Sequence, residues 1–186
     1  MSRAMKLELG CGMSPTPGYV HHDRIRHSPH VDVAWDLRVY PWPLSLYWIG
    51  EEGRIESWGR AMLEGVPQKD CDRRVSDGFL DEILALDVFE HLSVDVQPWL
   101  DECWRLLKPD GLLDFRVPAW DHELSYRDPT HLRVFHQDFL LYWDKRHELC
   151  RRFGSIYFAE SDKWWKFESV ERENNDFRFR ARKVVD

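Results

Sequence analysis

Apolar and polar positions follow two rhythms along this chain. Lys6-Leu7-Glu8-Leu9 is a short apolar strand that runs at once into Gly10-Cys11-Gly12. The segment from Met13 to Gly18 holds two prolines and a glycine and reads as loop. Tyr19-Val20-His21-His22 reads as a second strand ending at Asp23. Val31-Asp32-Val33-Ala34-Trp35 alternates and reads as a third, ending at Asp36. Pro41-Trp42-Pro43 breaks the chain. Segment 46–74 is polar, carries Gly50, Gly53, Gly59 and Gly65, and predicts an insertion with a helix around Ile55 to Leu63. Regular structure resumes at Leu80. Glu82-Ile83-Leu84-Ala85-Leu86 is a near-continuous apolar run, as a buried parallel strand requires. Val96, Trp99, Leu100, Cys103, Leu106 and Leu107 then recur at helical spacing. Lys108-Pro109-Asp110-Gly111 stops that helix, and Leu112 to Val117 is the next strand, ended by Pro118. Phe139 to Phe153 reads as a helix with Asp138 as its cap and Gly154 as its end. Trp164 to Val170 and Phe177 to Val184 read as two strands around Glu173-Asn174-Asn175. In the last strand Phe177, Phe179 and Ala181 share one face and the arginines the other.

Strand, glycine turn, strand, strand, then strand–helix–strand predicts an α/β domain with a mainly parallel sheet and an antiparallel hairpin at one edge. The 186 residues suffice for one domain, 1–186. No apolar run approaches the roughly 18–20 residues that span a membrane, and the N-terminal residues lack a signal-peptide core. Cys11, Cys71, Cys103 and Cys150 are scattered, with neither a Cys-x-x-Cys pair nor zinc spacing, so a reduced cytoplasmic protein is expected. The net charge of −7 argues against a nucleic-acid backbone as main partner. Arg178, Arg180, Arg182 and Lys183 read as a solvated strand face, and Arg151-Arg152 as a helix end. Ten tryptophans are many for this length, and most are expected in the core.

In an open parallel sheet, ligands bind beyond the carboxyl ends of the strands, where strand order reverses. The residues at those ends are Gly10-Cys11-Gly12, Asp23, Asp36, Asp87 and the stretch from Pro118 to Asp121. Glycines at 10 and 12 permit a tight turn and the close approach of a ligand. A carboxylate at Asp23 can accept two hydrogen bonds from a ribose diol. Asp23 follows the glycines closely, the connection is rich in proline, and a third glycine is missing. A ligand without phosphate therefore fits better than a dinucleotide.

These residues carry a family resemblance. Leu7-Glu8-Leu9-Gly10-Cys11-Gly12 resembles the first motif of class I S-adenosylmethionine (SAM)-dependent methyltransferases. Asp81-Glu82-Ile83 with Asp87-Val88-Phe89-Glu90-His91-Leu92 is similar to the fourth-strand motif of the type 11 branch. The run from Glu102 to Leu113, ECWRLLKPDGLL, is similar to that branch's helix, turn and strand, with Asp110 where glycine is usual. The resemblance covers most of residues 6 to 143 outside 46–74. It implies a Rossmann-like methyltransferase fold with a mainly parallel seven-stranded sheet, helices on both faces and SAM as cofactor. It also implies roles. Glu8 would hold the methionine ammonium, and Gly10, Cys11 and Gly12 would border methionine and ribose. Asp23 would hold the ribose hydroxyls, Asp36 and Leu37 would meet the adenine, and Asp87 and Val88 would lie beside the sulfonium.

Methyl transfer from a sulfonium is an in-line displacement, in which the protein mainly aligns donor and acceptor. A base is needed only where the acceptor must lose a proton. Asp128-Pro129-Thr130-His131, with Phe135, resembles a segment of some type 11 proteins. His131 is the candidate base or acceptor-orienting group, with Asp128 as its partner; the same four residues also read as a structural turn. A metal held by Asp121, His122, Asp128 and His131 is a minor alternative, and no metal is expected. His21, His22, His27 and His30 match no metal spacing. The absence of an Asn-Pro-Pro-Tyr-like sequence and of Pro-Cys weakens DNA amino and cytosine C5 acceptors. The chain starts almost at its first strand, so segment 46–74, with Trp48, Trp58 and Met62, is the candidate lid, or else a packing element or a homodimer element. A small-molecule or glycan hydroxyl acceptor is expected. The alternative is a non-catalytic SAM-binding scaffold.

Overall fold

The computed structural model describes residues 4–43, 47–49, 55–57, 77–157 and 161–185. Seven strands form one sheet: β1 (Lys6–Leu9), β2 (Val20–Asp23), β3 (Val33–Ala34), β6 (Leu80–Leu86), β7 (Leu107–Pro118), β8 (Trp164–Glu173) and β9 (Asp176–Val184). Their spatial order is β3-β2-β1-β6-β7-β9-β8. The pairs β1–β2, β1–β6, β2–β3 and β6–β7 are parallel, whereas β7–β9 and β8–β9 are antiparallel. The order reverses between β1 and β6, so a crevice opens beyond their carboxyl ends.

The strand residues dictate this arrangement. β1 and β6 are central and buried on both faces, which is why Leu7, Leu9, Ile83, Leu84 and Ala85 are almost wholly inaccessible. The alternation of β9 buries Phe177, Phe179 and Ala181 and turns the arginines outward. Arg178 and Arg180 both bind the buried Asp114, with Arg178 Nε 2.7 Å and Arg180 Nε 3.1 Å from its carboxylate, and Arg182 Nε lies 2.8 Å from Glu168. The basic face is thus neutralised within the sheet. Helix α1 (Val96–Leu106) packs Trp99, Leu100, Cys103 and Leu106 on β6 and β7. Phe89 stacks on Trp99 at 4.1 Å, and Phe115 stacks on Phe179 at 5.0 Å. Trp42, Trp99 and Trp165 are fully buried, as expected of most of the tryptophans.

Several motif residues serve this scaffold. Lys108 Nζ donates to Asp81 at 2.7 Å, and Asp81 also accepts the Met5 N–H. Glu102 accepts the Trp42 N–H at 2.6 Å and pairs with Arg105, so α1 holds the chain that follows β3. Asp110 has φ 61, the left-handed region where glycine is favoured and aspartate is tolerated. That explains how aspartate can occupy the usual glycine position.

Two local expectations are corrected. Phe139 to Phe153 is not one helix: a 3-10 turn spans Phe139–Trp143 and a π-turn spans Cys150–Gly154. Asp144 breaks it, because its buried carboxylate accepts the Arg146 and Phe167 N–H groups at 2.9 Å each and ties the segment to β8. Asp138 makes no side-chain cap bond. Within 46–74, Ile55–Ser57 is not helical; it is strand β5, paired antiparallel with β4 (Tyr47–Ile49). The rest of that insertion, including Trp58, Met62 and most of its proposed lid, lies outside the described residues. No helix among the described residues is long and apolar enough to cross a membrane.

Candidate functional site

Two clefts open at the carboxyl ends of the parallel strands, and they share Asp87 and His91. The first, of about 320 Å³, lies over the glycine loop and the ends of β2 and β3. Its walls bring together Gly10, Asp23, Asp36, Leu37, Asp87 and Val88 from the residues singled out by sequence. They add His22, Arg24, Arg38, His91 and Leu92, which sequence reasoning did not assign.

The glycine loop is held in its turned shape by its neighbours. Gly10 has φ +62, and a Cβ there would stand 2.6 Å from Val88 Cγ2. Only glycine lets β1 and the end of β6 approach so closely. Gly12 has φ +54 with nothing within 4 Å of an added Cβ, so its backbone faces open space. Asp23 Oδ2 accepts the Gly12 N–H at 3.0 Å, Oδ1 accepts the Arg24 N–H at 2.6 Å, and His27 Nε2 lies 3.2 Å away. Burial works to raise the Asp23 pKa, but the bonds from His27, Arg24 and Gly12 outweigh it and leave the group below the ordinary carboxylate range.

His22 ties the two ends of this cleft together. Its Nδ1 lies 3.3 Å from the Gly10 N–H, and its Nε2 lies 3.0 Å from the Trp35 carbonyl. Both bonds form only in the neutral ring with the proton on Nε2. Burial pushes the His22 pKa down to about 4, which keeps that ring neutral. At the β3 end, Asp36 accepts Arg38 Nε at 2.8 Å and Nη2 at 2.6 Å, a fork that holds its carboxyl well below the usual range.

Glu8, Cys11 and Gly12 do not line the cleft. Glu8 is buried, and its two oxygens take the Thr16 N–H at 2.8 Å and the Thr16 hydroxyl at 2.6 Å. It fastens the proline-rich loop over β1. Cys11 is buried, and burial raises its thiol to about 11, so it is no nucleophile at neutral pH. Its N–H donates to the His22 carbonyl at 2.8 Å. His21 and His30 bind the same loop, through the Thr16 and Gly12 carbonyls at 2.9 and 2.8 Å.

The second cleft, of about 540 Å³, is lined by Asp87, Glu90, His91, Asp128 and His131 among others. Asp87 has φ 57 and is held by the guanidinium of Arg116, whose Nε lies 3.1 Å from Oδ1. His131 is here, as expected. Asp128 Oδ2 stands 3.9 Å from its Nε2, beyond hydrogen-bond reach, because Asp128 Oδ1 is taken by the Thr130 N–H at 2.8 Å and the Thr130 hydroxyl at 2.6 Å. Asp121 pairs with Arg172 at 2.8 Å, so the four-residue metal set suggested by sequence is not assembled. Glu90 was missed. It is 1% exposed, and both its carboxylate oxygens lack a partner among the described residues. Burial, helped by Asp87 and Asp176, pushes its pKa up to about 8. The available signal was an acid directly after the apolar pair Val88-Phe89 in the turn after β6.

Comparison with known proteins bears on this geometry. Residues 58–115 match the family of methyltransferase domains of type 11; the glycine loop falls outside that match. No curated protein matches the chain. Among solved structures, the fold is similar to a SAM-dependent methyltransferase, possible histamine N-methyltransferase, from Thermotoga maritima. That match has 12% identity and a TM-score of 0.55, covering 98% of this chain and 84% of that one. It is also similar to a chain in the complex of the Haloferax volcanii Trm112 methyltransferase activator with a putative methyltransferase. There identity is 11% and the TM-score 0.53, covering 99% and 84%. A 16S rRNA adenine N1-methyltransferase variant from Catenulisporales acidiphilia, solved with SAM, gives 16% identity and a TM-score of 0.51, covering 99% and 86%. The matched segment is thus similar to the type 11 methyltransferase domain, and the sheet order is that of the fold these solved SAM-dependent methyltransferases share.

Proposed function

We propose that the chain methylates a hydroxyl of a small molecule or sugar, with donor and acceptor meeting across the wall formed by Asp87 and His91. The observation that carries this reading is the pair of clefts that share those two residues at the switch point of the sheet. SAM supplies a methyl group on a sulfonium, which an acceptor takes by in-line displacement. The chain's residues fit such a donor. The loop at Gly12 leaves open space, Leu37, Val88 and Leu92 give the first cleft an apolar lining, and Asp23 stands at its ribose end. A carboxylate has roughly four acceptor positions, and the His27 contact at 3.2 Å is the longest of the three it makes, hence the one a ribose diol would replace. Gly10 borders the methionine and Asp36 with Leu37 the adenine. Glu8, Cys11 and Gly12 shape the loop that closes over the donor.

In the second cleft His131 orients the acceptor or takes its proton, and Asp128 sets the turn that presents it. The carboxylates of Asp87, Asp128 and Asp176 in its lining disfavour a phosphate backbone, and the cleft suits a neutral polyol. The backbone pair β4–β5 lies within the segment proposed as lid or dimer element.

Calorimetric titration with SAM and with S-adenosylhomocysteine tests the donor site. Micromolar binding is expected for the wild type, weakened at least about 10-fold in Asp23→Ala. A folded wild-type protein that binds neither compound would overturn the reading.

A further inference from the structure

The turn after β6, Asp87-Val88-Phe89-Glu90-His91, crosses the mouth of both clefts, and the Asp128-Pro129-Thr130-His131 turn faces it. Between them Glu90, His91 and His131 each offer one ligand atom, all within 4.8 Å of one another. The Glu90 carboxylate is almost wholly buried and neither oxygen has a partner among the described residues; nor does the buried Nδ1 of His131. Orphaned polar atoms of this kind are rare in folded proteins and mark places that water, an ion or a reacting group completes. The rings of His91 and His131 meet edge to face with centroids 4.6 Å apart.

The surroundings have the form of a supporting shell. His91 Nδ1 lies 2.9 Å from the Thr130 hydroxyl, and that hydroxyl donates to Asp128 Oδ1 at 2.6 Å. The chain of donors therefore runs from the imidazole N–H through threonine to a carboxylate. It fixes the tautomer of His91 and leaves Nε2 as its ligand atom, the arrangement in which metal-binding histidines are usually held. The Asp-Pro-Thr-His sequence then has a purpose that a proton-relay reading does not give it. Asp128 is too far from His131 to act on it directly, but it positions His91 through Thr130.

We propose that Glu90, His91 and His131 bind a first-row divalent transition-metal ion in the wall between the two clefts, with Thr130 and Asp128 as positioning residues. Two imidazoles and one carboxylate favour zinc, iron or cobalt over magnesium and calcium, which prefer all-oxygen sets. Three protein ligands leave positions open toward the second cleft. An acceptor oxygen is the ligand such a position takes, and His131 then orients the acceptor through the ion rather than taking its proton. That last step rests on the methyltransferase reading; the binding of the ion does not.

Cobalt titration of the chelator-stripped full-length protein, read by visible absorption, tests the site. One equivalent of Co²⁺ is expected to bind and to be displaced by Zn²⁺. Glu90→Gln and His131→Ala should each weaken binding at least about 100-fold, and Thr130→Val by about 10- to 100-fold, as loss of a supporting hydrogen bond does. His147→Ala, at a residue that lines neither cleft, should bind as the wild type does. His91→Ala removes an exposed ring and spares the core, so its loss of binding is readable should the buried variants fail to fold. A folded wild-type protein that takes up no stoichiometric Co²⁺ overturns the proposal. So does a His91→Ala protein that binds Co²⁺ like the wild type. SAM affinity measured on the stripped protein is independent of both outcomes, which separates failure of this site from failure of the donor site.

Discussion

The two clefts differ in how their polar groups are satisfied. In the first, Asp23, Asp36, His22 and the nearby Glu8 all have partners at hydrogen-bond distance. In the second, Glu90 and one nitrogen of His131 have none among the described residues. Paired groups are held in one geometry before a ligand arrives, which suits recognition of an invariant donor. Unpaired buried groups cost stability and persist where a ligand completes them. The difference separates a preorganised end of the site from an unfinished one.

Substitutions test that contrast most directly at its rigid end. Gly10→Ala combines a left-handed φ with a Cβ 2.6 Å from Val88. It should cost about 3 kcal/mol in urea unfolding and abolish measurable SAM binding. The double variant Gly10→Ala/Val88→Ala should recover part of the stability, because the clash is gone while the backbone strain remains.

A pH series probes the same end through His22. Its folded pKa of about 4 lies below the ordinary value of 6.5, so the unfolded chain binds more protons between those limits. Stability from this group is therefore complete above pH 6.5 and falls as the pH drops toward 4, by about 3 kcal/mol. Unfolding free energies measured from pH 7 to 4 should show that decline in the wild type. His22→Gln should flatten it, and an unchanged slope would show that His22 is not held neutral.

A matched pair of carboxylate variants compares the clefts side by side. Glu8→Ala strands the Thr16 N–H and hydroxyl and should cost about 2 kcal/mol. Glu90→Gln breaks no hydrogen bond among the described residues and removes a carboxyl whose pKa burial raises to about 8, so it should stabilise the metal-free protein at pH 7 by about 1–3 kcal/mol. Equal losses in thermal melts would remove the contrast. The smallest effect is expected at Asp36→Asn, whose partner Arg38 is well exposed. Stability should fall by less than about 1 kcal/mol, with SAM affinity reduced only a few-fold.

Much of the fold was legible because its cues are local. The strands at Lys6–Leu9, Leu80–Leu86 and Asp176–Val184 follow from apolar runs and alternation, and α1 from its helical spacing. The strand-end aspartates were legible for the same reason, since a polar residue after an apolar run marks the carboxyl edge of the sheet. The predicted helix from Phe139 failed because nothing near Asp144 in sequence shows that its carboxylate will bind the Phe167 N–H on β8. The partner of Glu8 was hidden similarly: no local pattern shows that Thr16 bonds both its oxygens.

The sequence by itself determined the order of the elements, the glycine loop and the sheet class. Each depends on propensity and periodicity within a few residues. Tertiary structure alone decided which polar groups are paired and which are left over. Glu90 and His91 meet His131 only because β7 returns the chain beside β6 and the turn after it folds back over the cleft. Whether a buried carboxylate finds a partner depends on what arrives from elsewhere in the chain, and no local pattern records that.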